Sequence, residues 1–133
     1  MRALPLSLLA ALPLLLATTG CDEEADLGEP DHTYTTRGSI EKMPSDVPGE
    51  EIHIKHEAID DFVNREGEVE GMNAMTMPFS PAEDVDTSKL SAGDKIRFDF
   101  EVRWDARPML RIVSVDELPA DTELEFRKAQ PPE

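Results

Sequence analysis

Three of the chain's six methionines fall within six positions, from Met72 to Met77. On an extended strand Met75 and Met77 are two residues apart, so their thioether sulfurs point to the same face. Neutral, soft sulfur atoms suit a soft monovalent ion such as Cu(I) or Ag(I). Residues 51–56 contain two histidines and are predicted to form a neighbouring strand. One histidine and two methionines would make a Cu(I) site with one nitrogen and two sulfur ligands.

Alternation within residues 51–56 indicates which histidine belongs to this site. His56 shares a face with two isoleucines and extends the core-facing row, whereas His53 lies on the opposite face and is predicted to face water. Other interpretations stay open at this point. The two methionines could be core filler, because methionine packs adaptably, and His56 could be a half-buried polar end of a strand.

Three segments resemble a known family. They are residues 56–59 (HEAI), 72–79 (MNAMTMPF) and 90–98 (LSAGDKIRF). They are similar to the periplasmic copper-binding proteins of the CusF type, and the resemblance covers the chain from about Tyr34 to Val115. It implies a small OB-like β-barrel that binds Cu(I), and often Ag(I), and passes the metal to other proteins.

The resemblance also implies a ligand set, which carries over onto His56, Met75 and Met77. The best-known members have a tryptophan that caps the metal through a cation–π contact, and Met72 stands at that position here. Met72 could be a third thioether ligand, a cover, or neither. Residues 64–71 lengthen the connection relative to compact members. This acidic stretch is predicted to be a solvated loop, with docking to a partner as the alternative.

Composition excludes several other classes of function. Acidic residues outnumber basic ones 29 to 13. This negative charge argues against binding to nucleic acid and against peripheral binding to anionic lipid, since both are negatively charged. A single cysteine allows no internal disulfide. The sequence has no zinc-type Cys/His set, nucleophile elbow or phosphate-binding glycine loop. The chain is therefore predicted not to be an enzyme.

Residues 1–20 are predicted to be a lipoprotein signal peptide. Arg2 is followed by an apolar stretch that is shorter than a transmembrane helix needs to be. Gly20-Cys21 resembles the end of a bacterial lipobox, which would make Cys21 the acylated first residue of the mature protein. Ordinary secretory cleavage nearby is the alternative. Residues 21–32 are strongly acidic and are predicted to be a disordered, flexible tether.

The rest of the sequence predicts an all-β fold, with one barrel domain at residues 33–118. Five short strands without a long helix suggest a closed or partly closed barrel, and the resemblance makes it a five-stranded OB-like one. Trp104 is expected in the core or at the rim of the barrel, with a place over the metal as the alternative. Residues 119–133 are predicted to be a C-terminal tail that frays. The predicted strands are residues 34–41, 51–56, 74–79, 95–104 and 109–115.

These observations predict a monomeric protein, lipid-anchored through Cys21 on the periplasmic side of a bacterial membrane. Its predicted function is to sequester Cu(I), with Ag(I) as a substitute, or to transfer it to an efflux system or a copper-enzyme assembly factor. The expected partners are copper efflux or copper-delivery proteins of the cell envelope. The alternative is a non-metal OB-like lipoprotein module that docks an envelope complex, in which the methionines are core residues.

Overall fold

The computed structural model describes residues 28–45 and 50–133. The predicted all-β fold is confirmed, because these residues form strands and no helix. The predicted signal peptide, Cys21 and the first part of the tether lie outside the described residues. Within them, no helix is long and apolar enough to span a bilayer. The strands are β1 His32–Lys42, β2 Ile52–His56, β3 Met75–Pro81, β4 Lys95–Val102 and β5 Leu110–Glu117.

The five strands close into a barrel in the order β1-β2-β3-β5-β4, with β4 pairing back onto β1. The strand pattern predicts such a closed barrel, and the family resemblance implies its OB-like form. Every pairing is antiparallel except that of β3 with β5, which is parallel and spans only two rungs, Ser80–Arg111 and Pro81–Ile112. Among the described residues, the first half of β3 therefore pairs with β2 and with no other strand.

Strand β4 shows how the sequence builds the interior. Its residues alternate between apolar and charged, so every second side chain points into the barrel. Phe98 and Phe100 pack edge-on against Phe79 of β3, with ring centroids 5.2 and 5.1 Å apart. Aromatic rings favour this geometry because the positive edge of one meets the negative face of another. The fully buried apolar side chains are Ile40, Ile52, Ile54, Phe79, Ile96, Phe98, Phe100, Val102 and Ile112.

Residues 57–74, the connection between β2 and β3, cover one end of the barrel. Ile59 and Phe62 are buried in the core cluster, and the Tyr34 hydroxyl accepts a hydrogen bond from the Val63 amide at 2.9 Å. Trp104 is half-buried and lies edge-on to Phe62, with centroids 6.1 Å apart. Trp104 therefore lies at the rim of the barrel, which agrees with the prediction that it belongs to the core or rim.

The ordered structure extends beyond the predicted barrel at both ends. His32, assigned to the tether by the sequence, is the first residue of β1 and pairs with Val102, and the Asp31 amide donates to the Val102 carbonyl at 2.9 Å. Residues 122–131, which were expected to fray, pack against the connection between β2 and β3. Hydrogen bonds and an ion pair hold this segment in place, although it has no regular secondary structure.

Gly38 allows β1 and β2 to approach closely at the end of β2. It pairs with His56, and a Cβ atom on Gly38 would lie 2.6 Å from the Lys55 carbonyl oxygen and 2.7 Å from Ile54 Cγ2. Both distances are shorter than van der Waals contact, and the nearer atom belongs to the backbone. A side chain at this position would force the two strands apart.

We therefore expect Gly38→Ala to lower the free energy of unfolding by about 1–3 kcal/mol, the usual cost of overpacking a close-packed interior. Equilibrium denaturation in urea measures this change. Ser39→Ala, one position along the same strand, is the control and should shift the free energy by less than about 0.5 kcal/mol. An unchanged urea midpoint for Gly38→Ala would show that the strands do not meet as closely as the structure describes.

Candidate metal centre

The pairing of β2 with β3 brings the predicted ligands onto one end of the ladder. His56 lies directly opposite Met75, and Ile54 lies opposite Met77, so Met77 is diagonal to His56. Residues that alternate along each strand share a face, and this face leads inward to the buried Phe79. Residues opposite each other on such a face have Cβ atoms about 4.5–5.5 Å apart. The flexible thioether of Met75 can therefore reach the imidazole.

The orientation of the His56 ring is set by a backbone carbonyl. The side chain is fully buried, and its Nδ1 lies 2.7 Å from the Glu57 carbonyl oxygen. A carbonyl only accepts hydrogen bonds, so Nδ1 carries the proton and the neutral ring keeps its lone pair on Nε2. This arrangement fixes the tautomer, as outer-shell acceptors do for metal-ligating histidines.

The free lone pair of His56 faces sulfur. Its Nε2 lies 3.4 Å from Sδ of Met77, which is half-buried against the core. Metal–nitrogen and metal–sulfur bonds are about 2.0 and 2.3 Å long at zinc. The two atoms are thus close enough to contact one ion. Both are neutral donors, and the pair of nitrogen and soft sulfur suits Cu(I) or Ag(I) better than a hard cation.

Exposure increases from His56 towards Met75. The imidazole is 0% exposed, whereas Met75 is 40% exposed. One side of the centre is therefore dry and held by the core, and the other side opens to solvent through a flexible side chain. A centre built in this way can exchange a ligand without unfolding the barrel.

Burial also shifts the proton equilibrium of the histidine. Desolvation lowers the pKa of His56 below its ordinary value of 6.5, because the apolar surroundings penalise the imidazolium, and the hydrogen bond with the Glu57 carbonyl opposes this in part. The neutral ring, which is the form able to bind a metal ion, therefore persists to more acidic pH than for a histidine in water.

Glu57 connects this centre to the surface. Its carboxylate receives two hydrogen bonds from the Arg37 guanidinium, at 2.6 and 2.9 Å, and one from the Glu125 amide at 2.8 Å. Burial alone would raise the pKa of Glu57, but these hydrogen bonds and the charges of Arg37 and Arg127 outweigh it and lower the pKa. The carboxylate therefore stays charged, and its partners hold the residue whose carbonyl orients His56.

Met72 lies in the connection before β3. Its backbone exchanges two hydrogen bonds with Ile59, at 2.9 and 2.8 Å, and its half-buried side chain packs against the core cluster. His53 pairs with Pro78 and is half-buried on the outer face of β2. Within residues 28–45 and 50–133, no cluster of three or more His, Cys, Asp or Glu side chains could hold a metal ion.

Sequence reasoning missed three residues that support this centre. Glu57 follows His56 directly, but only the structure shows its carbonyl turned to the ring. Glu125 and Arg127 lie in the tail that was expected to fray, and their contacts with the connection are long-range. The sequence does contain one signal that the tail packs against the barrel, the apolar pair Leu124 and Phe126. Solvated, disordered segments are poor in such residues.

Comparison with known proteins gives two similar solved structures. Among solved structures, the chain is similar to apo-CusF from Escherichia coli, with 18% identity and a TM-score of 0.47 over 73% of this chain and 99% of that one. It is also similar to the C-terminal domain of SilB from Cupriavidus metallidurans, with 23% identity and a TM-score of 0.44 over 69% and 98% of the two chains. A search of curated proteins gave no match.

The family comparison covers most of the barrel. Residues 33–114 match the family of the copper binding periplasmic protein CusF, a range that includes all of β2, β3 and β4 and more than half of the chain. The chain therefore belongs to the CusF family of periplasmic copper-binding proteins.

Proposed function

We propose that this protein binds one Cu(I) ion, with Ag(I) as a substitute, through His56 Nε2 and the thioethers of Met75 and Met77. The observation that carries the proposal is the buried imidazole whose Nδ1 is occupied by a carbonyl and whose Nε2 lies 3.4 Å from a methionine sulfur. Family membership supports the metal, and the register of β2 and β3 supports the ligand set.

The ligand chemistry suits a metal that must be held and then released. Thioethers need no deprotonation, so His56 is the one proposed ligand that a proton can displace. The exposed Met75 gives an incoming protein a ligand to replace first, while His56 and Met77 still hold the ion. This order of exchange fits a carrier that sequesters copper and hands it on, either to an efflux system or to a copper-enzyme assembly factor.

We further propose that the mature protein is a monomer anchored to the membrane through a lipid on Cys21. Support comes from the lipobox-like Gly20-Cys21 and from the acidic, polar stretch that separates the cysteine from β1. Two or more acyl chains give stable anchoring. Such a tether would keep the barrel close to membrane-bound copper efflux or delivery proteins of the envelope.

The ligand set predicts the outcome of a Cu(I) titration against a chromogenic chelator under anaerobic, reducing conditions. We expect tight one-to-one binding by the lipid-free chain from Asp22, which contains every described residue. Met75→Leu/Met77→Leu should lower the affinity by more than about 100-fold, because losing ligands costs more than the 10–100-fold typical of outer-shell changes. Leucine preserves size and apolarity, so the barrel should stay folded.

Two variants complete this titration. Met43→Leu/Met109→Leu removes the same number of thioethers outside the centre and should bind like wild type. Met72→Leu distinguishes the possible roles of Met72. If Met72 is a ligand, the substitution should remove much of the Cu(I) affinity, and if it only packs against the core, the affinity should hardly change. If neither the wild type nor any variant competes with the chelator, the copper proposal is wrong and the non-metal docking module becomes the working hypothesis.

The state of His56 predicts how binding depends on pH. Since the folded pKa lies below 6.5, Cu(I) affinity should be flat from pH 8 to about 6.5. Below the folded pKa the proton competes for Nε2, and affinity should fall towards about tenfold per pH unit. The measurement is the same titration repeated from pH 8 to 4.5, with His53→Gln as a control that should leave the profile unchanged. A steep loss between pH 8 and 7 would contradict the assignment of His56.

A further inference from the structure

The chain after β5 returns to the metal centre instead of leaving the barrel. We call residues 122–131 the C-terminal strap. Its start is fixed to β4, because the Lys95 ammonium donates to the carbonyls of Ala120 and Thr122 at 2.8 and 2.5 Å. The strap then crosses to β2, where the Lys55 ammonium lies 4.5 Å from the Phe126 ring centroid, within cation–π distance. It lies outside the residues that match the family.

The strap contacts the residues on either side of the His56–Met75 rung, where the pairing of β2 with β3 ends. Glu57 follows His56, and its carboxylate accepts from the Glu125 amide at 2.8 Å. Ala74 precedes Met75, and its amide donates to the Arg127 carbonyl at 3.0 Å. Two strap residues thus hold the chain neighbours of two proposed ligands.

A second set of contacts fixes the connection between β2 and β3 to the strap. The Arg127 guanidinium donates to both carboxylate oxygens of Asp60 at 2.8 Å, and the Gln130 amide donates to the same carboxylate at 2.8 Å. These two donors hold the pKa of Asp60 at about 2. Asn73 Oδ1 accepts from the Ala129 amide at 2.8 Å.

Gly71 shows how closely the strap packs on this connection. A Cβ atom there would lie 2.9 Å from Ala129 Cβ and 3.0 Å from Pro131 Cγ. The strap therefore lies against the backbone of the connection and not only near its side chains.

The barrel needs this support at one place. Strand β3 pairs with β5 only at Ser80 and Pro81. Within residues 28–45 and 50–133, the start of β3, with the exposed Met75, therefore has β2 as its one strand partner. A strand end with pairing on one side frays more readily than one held on both sides. The Arg127 carbonyl supplies a hydrogen-bond partner beside this strand end.

We propose that the C-terminal strap is a detachable clamp that positions the metal ligands and sets the rate at which copper leaves. The proposal rests on the copper-binding function proposed above. A docked strap holds Glu57, and so the His56 ring, while it also holds Met75 near the ring. Pre-organised ligands bind more tightly because less ordering is needed on binding.

The strap is built to detach. It has no regular secondary structure, Phe126 is 41% exposed, and the ion-paired side chains of Arg127 and Asp60 are 34% and 38% exposed. Exposed ion pairs of this kind contribute little individually. Lifting the strap breaks none of the strand pairings of the barrel, and it frees the strand end that carries Met75. Copper transfer and strap release are in this way coupled.

Arg127→Glu tests the clamp, because it places a like charge against Asp60 while every other strap residue stays. Lys128→Glu is the matched control, with the same charge change at the adjacent, exposed residue. Two quantities are measured on the lipid-free chain from Asp22: amide hydrogen exchange at Ala74 without metal, and the rate of Cu(I) release to excess chelator. For Arg127→Glu we expect faster amide exchange at Ala74 and release of Cu(I) that is faster by about tenfold or more. This matches the 10–100-fold effect that outer-shell changes have on metal affinity. Lys128→Glu should give wild-type values for both quantities.

A chain that ends at Asp121 removes the strap altogether and should release Cu(I) at least as fast as Arg127→Glu, with far-UV circular dichroism confirming the barrel. The clamp is refuted if Ala74 exchange rises in these variants while release stays within twofold of wild type. It is equally refuted if Ala74 exchange is unchanged, because the strap would then not hold the strand end. Failure of the wild type to bind Cu(I) would overturn the proposed function itself, while Ala74 exchange, measured without metal, reports on strap docking independently.

Discussion

The centre depends on one buried imidazole. Placing a polar ring in the dry interior is costly unless its donor is satisfied, and for His56 the Glu57 carbonyl accepts from Nδ1. That single hydrogen bond fixes the tautomer, turns the bare Nε2 to the sulfur of Met77, and makes the following residue part of the centre. The Arg37 ion pair and the strap contact of Glu57 serve this geometry, because they hold the residue that supplies the carbonyl.

The barrel makes this arrangement possible by constraining β2 on both sides. Gly38 lets β1 approach the end of β2 more closely than any side chain would allow, and β3 sets Met75 opposite the ring. A one-residue slip in either pairing would exchange the two faces of β2 and present His53 inward. The buried isoleucines of β2 oppose such a slip, since it would expose them to water. The hydrophobic core thus determines which histidine faces the methionines.

The sequence predicts the parts of this structure that follow from local alternation. The inward position of His56 and the alternation along β4 arise from a period of two, and the structure confirms both. The other strands follow from β-branched residues and turn signals, and Met75 and Met77 lie two residues apart on β3. The start of β1 at His32 and the docking of the tail escaped prediction because both depend on distant partners. His32 is extended because it pairs with Val102, and Arg127 is ordered because Asp60 lies beside it. The apolar pair Leu124 and Phe126 indicates that the tail packs against something, but no pattern within either segment identifies the partner.

Under the proposed function, holding and releasing copper make opposite demands on a single centre, and the gradient of exposure would reconcile them. The buried His56 and the half-buried Met77, which packs against the core, would supply retention. Met75 lies at a strand end that pairs with β2, and it would supply the route by which the metal leaves. In a more deeply buried centre, a partner could reach the ion only after part of the barrel opened, and exchange would be as slow as local unfolding. On the clamp proposal, a strap that steadies the exposed ligand would shift this balance towards retention without burying the centre, and the partly exposed contacts of the strap would keep the balance adjustable.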